Sequence, residues 1–234
     1  YSLRARIGVI APLDDQVEYA FNKYAPEGVS FDSTRLSFPG PTPEGLIYLS
    51  DQLEEAARMY RKKRHDVVLF GCTSGSCIKG YGFDKECIER IERACGWPGL
   101  TTSTAVLEAF KALGLNRTVV MTPYPEETNE AEKKFLEDNG ITVTSITGVG
   151  FNKVGEYAHP GKAFLYRQAK KLKTEGAEVF FLSCMGLTTM EIIDDLETAL
   201  KIPVVTSHQA TLWSALRHCG VRTRQPELGK LFMI

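Results

Sequence analysis

The chain reads Asp66-Val67-Val68-Leu69-Phe70-Gly71-Cys72 in its first half and Glu178-Val179-Phe180-Phe181-Leu182-Ser183-Cys184 in its second. Each stretch is an acidic residue, an apolar run, a small residue and a cysteine, at an offset of 112 residues (184 minus 72). A short, continuous apolar run of this kind predicts a buried strand of a parallel sheet. Because ligands of open α/β sheets bind beyond the carboxyl ends of such strands, we expect both thiols at a binding cleft.

The repeat extends to both sides of the cysteine strands. Residues 6–12 parallel 117–123 at an offset of 111 (117 minus 6), and 98–102 parallel 203–207 at an offset of 105 (203 minus 98). Correspondences in the same order at near-constant spacing indicate an internal duplication. We therefore predict an α/β fold of two pseudo-symmetric parallel-sheet lobes, Rossmann-like or flavodoxin-like, with the active site between them. The expected first lobe is 1–114 plus 221–234, and the second is 115–220.

Strands and helices are predicted to alternate along the chain, which is typical of parallel βαβ units. The predicted strands cover about 6–11, 30–37, 66–71, 99–101, 118–122, 142–147, 178–183 and 203–206. The predicted helices cover about 15–24, 43–63, 84–95, 103–113, 126–139, 161–175, 189–200 and 208–218. Thr42 is expected to cap the second of these helices, with Pro43 at its first position.

Composition argues against several classes of partner. The 28 Lys plus Arg residues nearly balance the 29 Asp plus Glu residues, so we expect neither nucleic acid nor a membrane surface as partner. Residues 1–6 lack the apolar core of a signal peptide, and we expect a cytoplasmic protein. The six cysteines include no CxxC pair and the four histidines are scattered, so free thiols are expected and no metal site. Neither a Walker nor a dinucleotide fingerprint occurs.

Three motifs together resemble the aspartate/glutamate racemase superfamily, and most of all its maleate cis-trans isomerase and arylmalonate decarboxylase branch. They are Gly71–Ser76, Ser183–Gly186 and Pro203–Trp213. The resemblance covers essentially the whole chain. It implies enzymes that use no cofactor and that hold the active site between two α/β lobes.

Cys72 and Cys184 are the predicted catalytic residues. A thiolate is a capable base or nucleophile, and two opposed thiols allow a two-base racemisation beside a carboxylate. They equally allow one thiol to add to a double bond while the other manages a proton, which gives cis-trans isomerisation. Thr73 and Ser74 are predicted to bind the substrate carboxylate as an oxyanion-type hole, together with backbone N–H groups beyond Cys184.

Further substrate-binding residues are predicted around these thiols. Met185 and Gly186 supply the backbone groups that follow Cys184. In the resemblance, Tyr124 matches a tyrosine that binds the substrate carboxylate, and Asn152 matches a substrate-binding loop asparagine. The alternatives are an ordinary half-buried aromatic residue for Tyr124 and a turn former for Asn152.

The exit of the first predicted strand departs from the maleate isomerase pattern. Asp15 stands where the resemblance implies an asparagine that binds a carboxylate. An ionised acid there repels a second carboxylate and attracts an ammonium group. Alternatively, Asp14 and Asp15 begin the helix at 15–24. His208 is expected near the cleft as a helix-start residue.

The leading functional prediction is a cofactor-independent isomerase, either a maleate-type cis-trans isomerase or a racemase, acting on a small carboxylic acid. One alternative is an arylmalonate-type decarboxylase that uses Cys184 as proton donor. Cys72 argues against this, because the resemblance implies no cysteine at that position in the decarboxylase branch. The other alternative is a non-catalytic small-carboxylate sensor. The oligomeric state is left open, with a homo-oligomer as one expectation.

Overall fold

The computed structural model describes residues 3–13, 15–151, 156 and 160–234. The described elements of the first half are β1 (Ala5–Pro12), α1 (Val17–Tyr24), β2 (Val29–Leu36), α2 (Pro43–Asp51), α3 (Leu53–Arg58), β3 (Val67–Phe70), α4 (Thr73–Cys77), α5 (Phe83–Cys95), β4 (Gly99–Thr101) and α6 (Thr102–Leu113). Those of the second half are β5 (Arg117–Thr122), α7 (Glu126–Asp138), β6 (Thr142–Gly148), α8 (Lys162–Ala169), β7 (Val179–Leu182), α9 (Ile193–Leu200), β8 (Val204–Thr206) and α10 (Ser207–His218). Short 3-10 segments lie at Met190–Ile192, Pro226–Leu228 and Lys230–Met233.

The strands of the described residues form two parallel sheets with the same topology. The first has the order β2-β1-β3-β4 and the second the order β6-β5-β7-β8. Each cysteine strand is internal, since β3 pairs with β1 and β4, and β7 pairs with β5 and β8. The predicted α/β fold of two pseudo-symmetric parallel sheets is confirmed.

Side-chain hydrogen bonds repeat at equivalent places in the two halves. Asp66, which opens the first cysteine strand, accepts a hydrogen bond from the Arg6 N–H at 2.8 Å. Glu178, its counterpart, accepts one from the Arg117 N–H at 3.2 Å. A second repeated pair joins a helix carboxylate to the last strand of each sheet: Glu92 to the Gly99 N–H at 2.9 Å and Glu197 to the Val204 N–H at 2.9 Å. The acidic residue before each cysteine strand, Asp66 or Glu178, therefore has a structural role, because it accepts a hydrogen bond from an N–H group near a strand end.

Helices α6 and α10 form the seam between the two halves. Both start at an N-cap threonine, Thr101 and Thr206, whose hydroxyl oxygen accepts an N–H group of the first turn at 3.1 Å. Across the seam, the Thr211 hydroxyl donates to the Thr102 hydroxyl at 3.1 Å. The larger apolar core contains buried residues of both halves, so the two sheets share one interior.

The predicted helix over 43–63 is two helices in the structure. Thr42 caps α2 as predicted, accepting the Gly45 N–H at 3.2 Å, and Pro43 is its first residue. The break falls at Gln52. Its side chain donates to the Ser37 carbonyl at 2.8 Å and accepts the Ser37 N–H at 3.1 Å. This pairing fixes the end of α2 to the chain that leaves β2, and α3 begins at Leu53.

Two other helix predictions are too long. The helix predicted at 161–175 ends at Ala169, because residues 170–177 have no fully buried side chain and a helix without a packed face is unstable in water. The helix predicted at 189–200 starts with the 3-10 segment at Met190–Ile192, and α9 begins only at Ile193.

The C-terminal segment contacts both halves. Lys230 donates its N–H to Glu197 of α9 at 3.1 Å, and Gln209 of α10 donates to the Leu228 carbonyl at 2.6 Å. Gln225 donates to the Tyr24 carbonyl of the first half at 3.0 Å. The predicted lobe boundaries, with 221–234 assigned to the first lobe, stay a prediction. In the part of the chain that the structure describes, no helix is both long and apolar enough to cross a bilayer.

Candidate active site

Cys72 lies at the point where β3 ends and the short helix α4 begins. Helix α4 is absent from the predicted helices. The Cys72 sulfur accepts the Gly75 N–H at 3.3 Å, as a capping side chain does. Glycine is required at 75, since a Cβ atom there would lie 2.9 Å from the Cys72 sulfur and 3.0 Å from the Phe70 ring. The N–H group directed at the sulfur favours negative charge on it.

Cys184 follows β7 in the equivalent place, in a strained backbone conformation. Its φ of 153° is unusual for a residue with a Cβ atom, and strain of this kind is concentrated at functional sites. The Cys184 sulfur accepts the Gly186 N–H at 3.2 Å and hydrogen bonds with the Tyr124 hydroxyl. Burial raises the pKa of the Cys184 thiol above its ordinary value, and it raises the pKa of Tyr124 as well. At neutral pH, both groups therefore carry their protons.

Both thiols line one small cavity of about 20 Å³, which we call the central cavity. It is lined by Pro12, Asp15, Phe38, Cys72, Thr73, Ser74, Tyr124, Cys184, Met185 and Gly186. Neither cysteine forms a disulfide.

Every predicted site residue within the described part of the chain lines the central cavity. These residues are Asp15, Cys72, Thr73, Ser74, Tyr124, Cys184, Met185 and Gly186. Asn152 and Asp14 lie outside the described residues. The described His, Cys, Asp and Glu residues include no group of three or more that is arranged to hold a metal ion.

Ser207, the first residue of α10, connects the two cysteine motifs. Its hydroxyl oxygen accepts a hydrogen bond from the Thr73 hydroxyl at 2.8 Å and one from the Cys184 N–H at 3.0 Å. The side chain is fully buried. Ser207 was not predicted as a site residue, although it directly follows β8 and corresponds to Thr102 in the repeat.

Asp15 is paired with His208 at the wall of the central cavity. The Asp15 Oδ1 atom lies 3.8 Å from the His208 Nε2 atom, and the two side chains are 2% and 0% exposed. Helix α1 begins only at Val17, so Asp15 precedes the helix and faces the cavity. Arg35 holds this loop by donating to the Pro12 carbonyl at 2.5 Å and to the Asp15 carbonyl at 3.3 Å.

The charged side chain in the described lining of the central cavity is acidic. Among the described residues that line it, Asp15 is the only carboxylate and none is lysine or arginine. The polar side chains of the lining are instead the neutral hydroxyl groups of Thr73, Ser74 and Tyr124. An anion in this cavity is therefore bound by hydrogen bonds from neutral groups and is repelled by an ionised Asp15.

Comparison with known proteins places the chain in a family. A family model described as arylmalonate decarboxylase matches residues 7–232. Arylmalonate decarboxylase of Bordetella bronchiseptica is 31% identical over 205 residues, which cover 86% of this chain and 85% of that protein. The chain belongs to the arylmalonate decarboxylase family.

Two solved structures show how far this family likeness extends. A double mutant of arylmalonate decarboxylase, with one glycine changed to cysteine and one cysteine to serine, has a TM-score of 0.91 at 30% identity and covers 97% of this chain and 98% of its own. A maleate cis-trans isomerase mutant of Nocardia farcinica, with a covalently bound succinylcysteine intermediate, has a TM-score of 0.91 at 20% identity, with 97% and 98% coverage. The second likeness establishes the shared fold.

Two apolar residues that line the central cavity were not predicted as site residues. Pro12 ends β1, and Phe38 lies shortly after β2. Neither side chain carries chemistry that would mark it in a sequence. Their position was predictable in principle, because the carboxyl ends of β1, β2 and β3 meet at one edge of the sheet.

Proposed function

We propose that this protein is a cofactor-independent isomerase that acts at a carbon beside the carboxylate of a small carboxylic acid, as a racemase or a maleate-type cis-trans isomerase. The observation that carries this proposal is the pair of free thiols, Cys72 and Cys184, at equivalent strand exits of a duplicated fold. Both line one small cavity together with neutral hydrogen-bond donors.

The substrate carboxylate binds to the hydroxyl groups of Ser74 and Tyr124. The Thr73 hydroxyl joins them when its proton turns from Ser207, to which it donates in this structure, towards the carboxylate. Removal of a proton from the neighbouring carbon converts this carboxylate into an enediolate, on which negative charge accumulates. Donors that are already oriented stabilise that charge without reorganisation, which is the largest effect in many enzymes. Ser207 accepts the Thr73 proton in this structure and so fixes the position of the Thr73 side chain.

In racemisation the two thiols exchange roles across the substrate. The Cys72 thiolate takes the proton from carbon, and the electron pair of the C–H bond enters the enediolate. The Cys184 thiol then gives its proton to the opposite face of the carbon. The cycle leaves a thiol at Cys72 and a thiolate at Cys184, ready for the reverse direction. The raised pKa of Cys184 supports its role as the proton donor.

In cis-trans isomerisation the same groups act on an alkene. The Cys72 thiolate adds to one alkene carbon, and the Cys184 thiol protonates its neighbour, which leaves a C–C single bond free to rotate. The Cys184 thiolate then removes a proton, and the C–S bond breaks to restore the Cys72 thiolate and the alkene. The succinylcysteine adduct of the maleate isomerase relative supports this chemistry for the shared fold.

Asp15 favours a substrate with a single carboxylate. A dicarboxylate such as maleate would bring its second anionic group into a cavity whose described lining has a carboxylate and no basic side chain. The nearby His208 imidazole contacts Asp15 and does not line the cavity. Within this proposal, an ammonium or apolar substituent on the reacting carbon fits the cavity better than a second carboxylate.

Decarboxylation is the second candidate. The family model and the 31% identical relative favour it, and Pro12, Phe38 and Met185 supply an apolar wall against which carbon dioxide could be released. This reaction needs one proton donor, Cys184, and gives Cys72 no role.

The test is a panel of small carboxylic acids incubated with the protein in deuterated water and followed by NMR. We expect deuterium at the carbon beside the carboxylate, or a change of alkene geometry, with the number of carboxylates unchanged. Loss of carbon dioxide would support the decarboxylase instead. Protection of Cys184 from alkylation by an acid that is never turned over would support the sensor.

A further inference from the structure

Glu132 is a buried carboxyl group that the proposed reaction does not use. It lies on α7 with 1% of its surface exposed. It lines a second small cavity of about 10 Å³, the seam cavity, which is formed by Thr73, Cys77, Ser103, Val106, Glu132, Phe135, Leu136 and Phe181. The residues come from both halves, so the cavity lies between them. Thr73 lines the seam cavity and the central cavity alike.

The surroundings of Glu132 favour its neutral form. Both carboxyl oxygens are buried without a hydrogen bond of ordinary geometry to the described residues. Ser183 supplies the hydroxyl group near enough to lower the pKa of Glu132, but burial outweighs it and raises that pKa to about 7. No basic side chain of the described residues contributes to this pKa. Burial of an unpaired charge in such a place is costly.

Glu132 is near both cysteine motifs, because it interacts with Ser183 and lines the seam cavity together with Thr73. Ser183 immediately precedes Cys184, and Thr73 immediately follows Cys72. The titratable groups that face Glu132 are Cys77 of α4 and Tyr124 beyond β5. Burial raises the pKa of each, and the charge of Glu132 raises it further. A negative charge at Glu132 therefore acts on the same region in which the substrate carboxylate is held.

We propose that Glu132 is a positioning residue that supports carboxylate binding only while its side chain is protonated. This inference rests on the proposed function of the central cavity. The neutral acid can donate a hydrogen bond to Ser183 and leaves the anion site free of repulsion. The ionised form places a second negative charge close to the bound anion in a low-dielectric interior, where the repulsion is strong. Carboxylate affinity then falls as pH rises through neutrality.

The experiment compares binding of phenylacetate, a monocarboxylate probe, to wild type and to Glu132→Gln by calorimetry. Glutamine has nearly the same shape and stays neutral. We expect the dissociation constant of wild type to rise about tenfold between about pH 6 and about pH 8.5, within the usual range of coupling between two sites. That of Glu132→Gln stays nearly constant. Glu130→Gln, an exposed position on the same helix, is the matched control and behaves as wild type.

Two failures are distinguishable. The same pH dependence in wild type and in Glu132→Gln would overturn the role of Glu132 and leave the proposed function intact. No phenylacetate binding in either protein at any pH would contradict the anion site itself, and both proposals with it. If Glu132→Gln does not fold, Ser183→Ala provides the second test. It removes the hydroxyl that lowers the pKa of Glu132, so the loss of affinity should move to higher pH. An unchanged midpoint would contradict the proposal.

Discussion

The Thr73 hydroxyl donates a 2.8 Å hydrogen bond to the Ser207 hydroxyl oxygen across the seam between the two halves. The same oxygen accepts the Cys184 N–H at 3.0 Å. Because Thr73 follows Cys72 directly, one buried hydroxyl connects the two cysteine motifs. The relative position of the two thiols therefore depends on Ser207, whose hydrogen bonds go to Thr73 and to the Cys184 backbone and not to a sulfur.

Ser207→Ala should reduce both stability and turnover. The change leaves the Thr73 hydroxyl and the Cys184 N–H without their acceptor, which typically costs about 1–3 kcal/mol for a buried group. We expect kcat to fall more than KM rises, because the orientation of the reacting groups is lost. Ser33→Ala, at an exposed position of β2, is the control. Unchanged kinetics and unfolding in Ser207→Ala would remove this residue from the account.

Tyr124→Phe should reduce kcat about a hundredfold. If the hydroxyl stabilises charge that grows on the substrate carboxylate, its loss costs about 3 kcal/mol in the transition state. Steady-state kinetics separates the roles. A rise in KM alone would indicate equal binding of substrate and transition state, and no effect on either constant would place Tyr124 outside the reaction.

Asp15→Asn should admit a second carboxylate. We expect the affinity for maleate to increase about tenfold, or about 1.4 kcal/mol, because a repelling charge is replaced by an amide. Phenylacetate affinity should rise by a smaller factor, since this probe brings one negative charge into the cavity and maleate brings two. Calorimetry with both acids measures the difference, and Asp194→Asn, at an exposed position of α9, is the control. Equal maleate affinity in wild type and Asp15→Asn would show that Asp15 does not select against dicarboxylates.

The free energy of unfolding should fall as pH rises from about 4.5 to about 7 because of Glu132. Its pKa is raised from 4.5 to about 7 in the folded protein, so in this window the folded state keeps a proton that the unfolded state releases. The contribution of Glu132 to the free energy of unfolding is fully present below its ordinary pKa of 4.5. It is reduced by about 3 kcal/mol above the folded-state pKa of about 7. Urea unfolding at a series of pH values measures this. Relative to wild type, Glu132→Gln should gain stability as pH rises, whereas Glu130→Gln should not.

The sheets were predictable because the strands are short apolar runs that repeat at near-constant spacing. The exits of the cysteine strands were predictable for the same reason, since topology brings carboxyl ends of parallel strands together. Cys72, Tyr124 and Cys184 lie around one cavity because each follows a strand, and the two sheets have the same strand order.

The features that could not be predicted from the sequence depend on contacts between residues far apart in the chain. The break at Gln52 is set by Ser37, and the partner of Asp15 is His208, almost two hundred residues away. Glu132 resembles a surface acid, yet the spacing of Thr128, Glu132 and Phe135 places it on the buried face of α7. That spacing was a usable signal, because an acid on an apolar helical face needs an explanation.

The measurement that tests the central claim most directly is the turnover of Cys72→Ala and Cys184→Ala beside wild type, in deuterated water, on the acid that wild type converts best. The account requires a base or nucleophile and a proton donor on separate sulfurs. We therefore predict that each variant keeps its fold and loses most of the isomerisation. Full activity of Cys72→Ala, with loss only in Cys184→Ala, would contradict the two-thiol mechanism and support a decarboxylase with a single proton donor.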